Sequence, residues 1–315
     1  MALFNIHHIT KYEYDRPVKE SVNEIKIYPF NTPTQHVLYH EINITGQPEI
    51  MVATDYWGNR IGMFNLMPSH TELVIESKLI IRNSPPELDL KAFLGGFDEL
   101  ENEIKKNLFL FELSRSEKPE LHDGIKTIAE EIKTSVAVMP VIQTCSTYIF
   151  ENFQYVKGIT TIETTVEEIL ELHSGVCQDF AHVMLEVLRH LDIPGRYVSG
   201  YICPNKNGMR GEGATHAWVE AWIPGYGWAG IDPTNNVWVS NHHVKLAVGR
   251  NFNDCSPVRG TFKGPAKQSL SVYVSVGYED GHKFEEVSKV KMEKQEETGE
   301  DTSHLLESFA GQQQQ

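Results

Sequence analysis

The chain has 315 residues, 40% hydrophobic and 10% aromatic, which suffices for a sizeable core in roughly two domains. Its 28 Lys plus Arg against 43 Asp plus Glu give a formal net charge of −15. That balance argues against a nucleic-acid binder and against adhesion to an anionic membrane, both of which need a basic face. No run approaches the ~20 apolar residues of a membrane span, and the first residues, MALFNIHHITKYEYDRP, lack the basic and apolar regions of a signal peptide. Cys145, Cys177, Cys203 and Cys255 form no C-x-x-C pair. The expectation is a reduced, cytoplasmic protein without a disulfide framework or structural zinc, in which one thiol can be kept for its reactivity.

Residues 1–86 read as an antiparallel β module. Ile25–Tyr28, Val37–Ile44 and Glu72–Arg82 alternate or run apolar with β-branched residues. Asp55-Tyr56-Trp57-Gly58-Asn59-Arg60 reads as a hairpin turn, and Pro17, Pro29, Pro33 and Pro48 punctuate the strands. Ser84-Pro85-Pro86 marks a break. The period then changes: Ile125, Ile128, Ala129 and Ile132 share one helical face. Pro140 suits the first turn of a second helix that carries Val141, Ile142, Cys145, Tyr148 and Ile149. Cys145 lies in this apolar stripe and reads as a small buried hydrophobe.

Thr164 or Thr165 can cap a short helix through Leu172. After the turn His173-Ser174-Gly175-Val176, an amphipathic helix begins at Cys177, with Phe180, Ala181, Met184, Leu185 and Leu188 on one face, and ends at Pro194-Gly195. Strands are expected at Arg196–Ile202, His216–Ile223 and Gly227–Ile231, the last two joined as a hairpin by Pro224–Gly227. A further strand is expected at residues 267–278. Residues 281–315 are charged, end in four glutamines and are expected to stay open.

Cys177 carries the argument about chemistry. A helix start offers unpaired N–H groups and about half a positive charge, which favours a thiolate and can hold an oxyanion. The competing reading is a buried cysteine that merely begins a helix. His216 opens the next strand but one, as ion-pair partner and then acid to a departing amine. Asp232 ends the returning strand. Its side chain shares a face with His216 if the register has even parity, which the loop length allows but does not force. Taken singly, His216 reads as a surface or satisfied core residue and Asp232 as a turn residue. It is the order cysteine at a helix start, histidine on a strand, acid on the next strand that points to a nucleophile–base–acid triad.

The runs Ser174-Gly175-Val176-Cys177-Gln178-Asp179-Phe180-Ala181-His182, Thr215-His216-Ala217-Trp218-Val219-Glu220 and Gly230-Ile231-Asp232-Pro233-Thr234 resemble the core of the transglutaminase-like superfamily, over roughly residues 140–265. Tyr155-Val156-Lys157-Gly158 resembles the entry to that core and Pro257-Val258-Arg259-Gly260 its exit. Tyr14, Pro17, Val18 and Asp55-x-x-Gly58-Asn59 resemble the N-terminal β module of bacterial members. The resemblance implies an α+β fold, with a papain-like transglutaminase core of helices on an antiparallel sheet over residues 87–280. It implies Cys177 as nucleophile, His216 as general base and acid, and Asp232 as the orienting acid. It leaves the oxyanion side chain unassigned. No metal or other cofactor is implied, and the absence of an acidic cluster predicts calcium independence.

The expected reaction is attack on an amide carbonyl through a thioacyl-enzyme. A peptidase or amidase acting on peptide or isopeptide bonds is favoured. A cross-linking protein-glutamine transglutaminase and a non-catalytic binding module are the alternatives. The expected partner is a peptide or protein substrate. Trp218 and Trp222 are candidates to line a substrate groove, though aromatics on adjacent strands more often pack in a core. The same holds for Trp228 and Trp238. The pattern His36-x-x-x-His40 would suit a metal on a helix, but the surrounding β pattern removes that geometry. His7-His8 and His242-His243 are expected at the surface, and His182 is expected to pack or hydrogen-bond. The segment Gly208–Gly213, just before His216, is expected to form a flap over the site.

Overall fold

Alternation of buried and exposed side chains runs through the first 83 residues, in six strands: β1 (Ala2–Val18), β2 (Ser21–Ile25), β3 (Gln35–Ile44), β4 (Met51–Thr54), β5 (Arg60–Leu66) and β6 (His70–Asn83). The computed structural model describes residues 2–84, 95–116, 122–203, 209–211, 215–278, 283–291 and 303–306. The break at Pro85-Pro86 lies outside the described residues, as do residues 208, 212 and 213 of the expected flap. The long strand β1 was not anticipated. Its inward face reads Phe4, Ile6, His8, Thr10, Tyr12, Tyr14, and the two polar residues interrupt the apolar alternation.

The middle of the chain is helical, with α1 (Phe97–Lys106), α2 (Leu108–Leu113), α3 (Asp123–Ile132) and α4 (Val138–Asn152). Pro140 sits in the first turn of α4, where its missing N–H breaks no helical bond. A short parallel pair, β7 (Gln154–Tyr155) and β8 (Ser174–Gly175), flanks α5 (Val166–Leu172). Thr165 caps α5, and Glu168 returns the bond to the Thr165 N–H. Then come α6 (Cys177–His190), β9 (Gly195–Ile202), β10 (Thr215–Ile223), β11 (Gly227–Asp232), β12 (Val237–Trp238) and β13 (His243–Gly249). The chain continues through α7 (Phe252–Cys255), β14 (Val258–Lys263), β15 (Gln268–Tyr278), β16 (Lys283–Lys291) and β17 (Ser303–Leu306).

Among the described residues, three five-stranded antiparallel sheets result. One is ordered β16-β15-β1-β6-β3 and a second β17-β14-β2-β5-β4. The N-terminal strands are therefore completed by strands from the far end of the chain, and the two sheets share one apolar core. The third sheet, β12-β11-β10-β9-β13, carries α6 on one face, where Ala217, Val219, Ala221 and Ile223 of β10 meet Phe180, Met184, Leu185 and Leu188.

The tail departs from expectation. Residues 283–291 pair with β15, and residues 303–306 pair with β14. Composition reports too little apolar matter to fold alone, but an open sheet edge supplies backbone partners that composition does not register.

Candidate active site

The turn before α6 is built around Asp179. Its Oδ2 accepts the Val176 N–H at 2.8 Å and the Thr160 hydroxyl at 2.7 Å. Gly175 is needed for this closeness, because a β-carbon there would stand 2.5 Å from Asp179 Oδ2. Burial pushes the Asp179 carboxyl up to about 6, against the two hydrogen bonds it accepts. Cys177 follows as the first residue of α6, buried, beside N–H groups that have no partner within the helix.

β10 and β11 pair Glu220 with Gly230 and Val219 with Ile231. Even-numbered residues of the two strands therefore share a face, so the parity condition holds. His216 Nε2 donates to Asp232 Oδ2 at 2.9 Å, and Cys177 acts on the same imidazole. The three side chains named from the sequence thus meet, each at most 1% exposed. Burial disfavours charge on His216, but the charges of Asp232 and Cys177 and hydrogen bonds from both outweigh it and push the imidazole up to about 10. Burial likewise opposes the Asp232 anion. His216 and His243 outweigh it and hold the carboxyl far below the usual range.

Asp232 is heavily donated to. Oδ1 accepts the Thr234 N–H at 2.9 Å, and Oδ2 also accepts Asn235 Nδ2 at 2.7 Å and His243 Nε2 at 3.3 Å. The Asn235 amide reaches on to Arg210, accepting its N–H at 2.7 Å and donating to its carbonyl at 3.2 Å. This sets Gly211 against the imidazole. A β-carbon at Gly211 would lie 3.1 Å from His216 Nδ1 and 3.6 Å from the Tyr155 hydroxyl. Neither Asn235 nor His243 was named from the sequence as part of the site. The run Asp-Pro-Thr-Asn is a turn that folds Asn235 back on Asp232, a usable signal for the first. His243 carried only its place at the head of an alternating run.

Other expectations are corrected. Trp218 is 1% exposed, packed with Val198 and Val248, and its ring occupies the space above Gly200. It backs the site and does not line an open groove. Trp222 lies at the opposite end of β10, edge-on to Trp228 with its indole N–H on Glu103, and does not reach Cys177. His8 and His243 are buried where surface positions were expected, because both find polar partners inside, His8 on Tyr201 and His243 on Asp232. His182 accepts the Phe252 N–H at 3.3 Å, consistent with a packing role, and burial followed by the Arg189 charge lowers it to about 4.

Residues 126–233 match the transglutaminase-like superfamily, and residues 4–82 match the bacterial transglutaminase-like N-terminal region. An uncharacterised protein of Mycobacterium tuberculosis is 30% identical over 85% of this chain and 90% of its own length. One from Mycobacterium leprae is 29% identical over 88% and 99%. A protein-glutamine gamma-glutamyltransferase of Pseudomonas aeruginosa is 39% identical over 74 residues, 22% of this chain and 11% of that one. The crystal structure of a provisionally named cysteine protease from Cytophaga hutchinsonii superposes with a TM-score of 0.67 at 21% identity, over 97% of each chain, which establishes a shared fold. The chain belongs to the transglutaminase-like superfamily, with the N-terminal region of its bacterial members.

Proposed function

We propose that the protein is a cysteine-dependent amide hydrolase that acts on peptide or isopeptide bonds through a thioacyl-enzyme. The observation that carries this reading is the contact of Cys177, at the start of α6, with an imidazole that Asp232 holds from behind. The Cys177 sulfur anion attacks the amide carbonyl, and an S–C bond forms. The first N–H groups of α6 lie beside the developing oxyanion. His216, held as imidazolium, gives its proton to the nitrogen as the C–N bond breaks and the amine leaves. Water then attacks the thioester, His216 takes its proton, and the C–S bond breaks to release the acid.

Transfer to an amine in place of water is the second reading, and the similarity to the Pseudomonas gamma-glutamyltransferase favours it over 74 residues. The two differ only in the acceptor. Mass spectrometry of the protein with a peptide-amide library and a labelled primary amine separates them. The expected results are a thioacyl adduct on Cys177, free acid as product and little label incorporated. Cys177→Ala should abolish turnover with the fold intact, and retained turnover would refute the mechanism. We also place the protein in the reducing cytoplasm. None of its four cysteines is in a disulfide, and cell fractionation tests this.

A further inference from the structure

The reading above uses one histidine beside Asp232, and the structure puts two there. His243 Nε2 lies 3.3 Å from Oδ2, the same oxygen that accepts His216. The two rings stand 6.3 Å apart, and His243 is edge-on to Trp218 at 5.3 Å. The tautomer of His243 is fixed by its surroundings. Nδ1 accepts the Ser240 N–H at 3.3 Å, so the ring proton sits on Nε2 and points at the carboxylate. Burial, against attraction by Asp232 and with repulsion from His216 and His242, keeps the ring neutral by lowering its proton affinity. A neutral donor holds an anion in place without competing with His216 for charge.

The support behind His243 comes from the β module. β13 is an edge strand, and side-chain amides from the module take the place of a neighbouring strand. Asn83 Nδ2 donates to the His243 carbonyl at 2.6 Å. Gln35 exchanges both bonds with Lys245, at 2.8 and 2.9 Å. Asn59 does the same with Val248, at 2.8 and 2.7 Å. The strand that presents His243 is thereby clipped to the module at three points.

We propose that His243 is a positioning residue for the Cys177–His216 pair, acting through Asp232, and that the β module reaches the chemistry by fixing β13. This rests on the function proposed above, but its test needs no substrate. Alkylation of Cys177 by iodoacetamide is followed across pH in the full chain, with Cys145, Cys203 and Cys255 resolved as separate peptides. In His243→Phe the carboxylate keeps its charge but loses a donor, so it is held less firmly against the imidazolium. The acid limb of the profile then moves to higher pH, and the rate at pH 6 falls about tenfold, the scale of one hydrogen bond to a charged group. His243→Gln restores an N–H donor and brings the profile back. A folded His243→Phe whose profile superimposes on the parent's overturns the proposal. Should that variant not fold, nitrogen-15 chemical shifts of the parent decide. A lasting Nε2–H tautomer from pH 5 to pH 8 supports it, and a ring that is Nδ1–H or protonates near pH 6.5 overturns it. A parent chain inactive toward amides whose alkylation profile still shifts in His243→Phe would fault the proposed function alone.

Discussion

The two sides of the central sheet are held by different forces. Toward α6, β10 presents Ala217, Val219, Ala221 and Ile223, and the contact is apolar. On the alternate face it presents His216, Trp218, Glu220 and Trp222, and the sheet's β13 edge meets the β module through directed hydrogen bonds. Tyr201, Cys203, Val244 and Leu246 add apolar contact to that seam. Apolar packing is non-directional, so it sets how closely α6 approaches without fixing the angle of any ring. Hydrogen bonds are directional, and they occur where an imidazole and a carboxylate must be aimed.

The sharpest way to break this contrast is Asp232→Asn. Four donors face the carboxylate: His216, Asn235, His243 and the Thr234 N–H. Either orientation of an asparagine amide turns its own N–H₂ toward at least one of them. The expected loss in kcat/KM is on the order of 10³-fold, since the imidazole is left misaligned and its cation unsupported. A loss below about tenfold, with the variant folded, would show that the aim comes from packing.

Next in size is Asn59→Leu, which strips partners from both the N–H and the carbonyl of Val248. Leaving two buried backbone groups unpaired costs about 4 kcal/mol. Urea unfolding should show a lower midpoint at unchanged slope. An unchanged midpoint would mean that the seam is held by its apolar residues alone.

Acid tests the same seam from another side. His8 Nδ1 pairs with the Tyr201 hydroxyl at 2.7 Å across it, and burial, with a smaller contribution from His7, lowers His8 to about 4. The unfolded chain takes up this proton as the pH falls through about 6.5, and the folded chain resists until about 4. Stability from this group is therefore complete above pH 6.5 and declines between pH 6.5 and 4, by roughly 3 kcal/mol. His8→Gln should flatten that part of the stability profile, as read by thermal unfolding at half-unit pH steps.

How much of this was legible in the sequence follows the same division. The apolar side announced itself through local periodicity. Phe180, Met184, Leu185 and Leu188 mark the face of α6, and the alternation of β10 set His216 opposite the core-facing alanines. Cys177, His216 and Asp232 were legible because their order along the chain mirrors the order of elements that brings them together. The seam was not. Gln35, Asn59 and Asn83 are ordinary polar residues until β13 arrives from more than 150 positions away. His243 looked like a surface residue for the same reason. The return of β14 to β17 into the N-terminal sheets depends on edges that exist only once the other strands have folded.

The smallest effect belongs to the apolar side, and it is the control for the others. Cys145 is fully buried in α4 among Val141, Ile142 and Ile149, and burial pushes its thiol well above the usual range. Cys145→Ala removes one sulfur from a dry contact, which costs about 1 kcal/mol in stability through lost transfer energy and a small cavity. Turnover should be unchanged, because nothing directional is removed. Cys177→Ala deletes the same atom at a second cysteine of the same core and should abolish turnover with little change in melting temperature. If Cys145→Ala instead lowered turnover without lowering stability, the helix face would be aiming the site as well as packing it, and the division between the two sides of the sheet would fail.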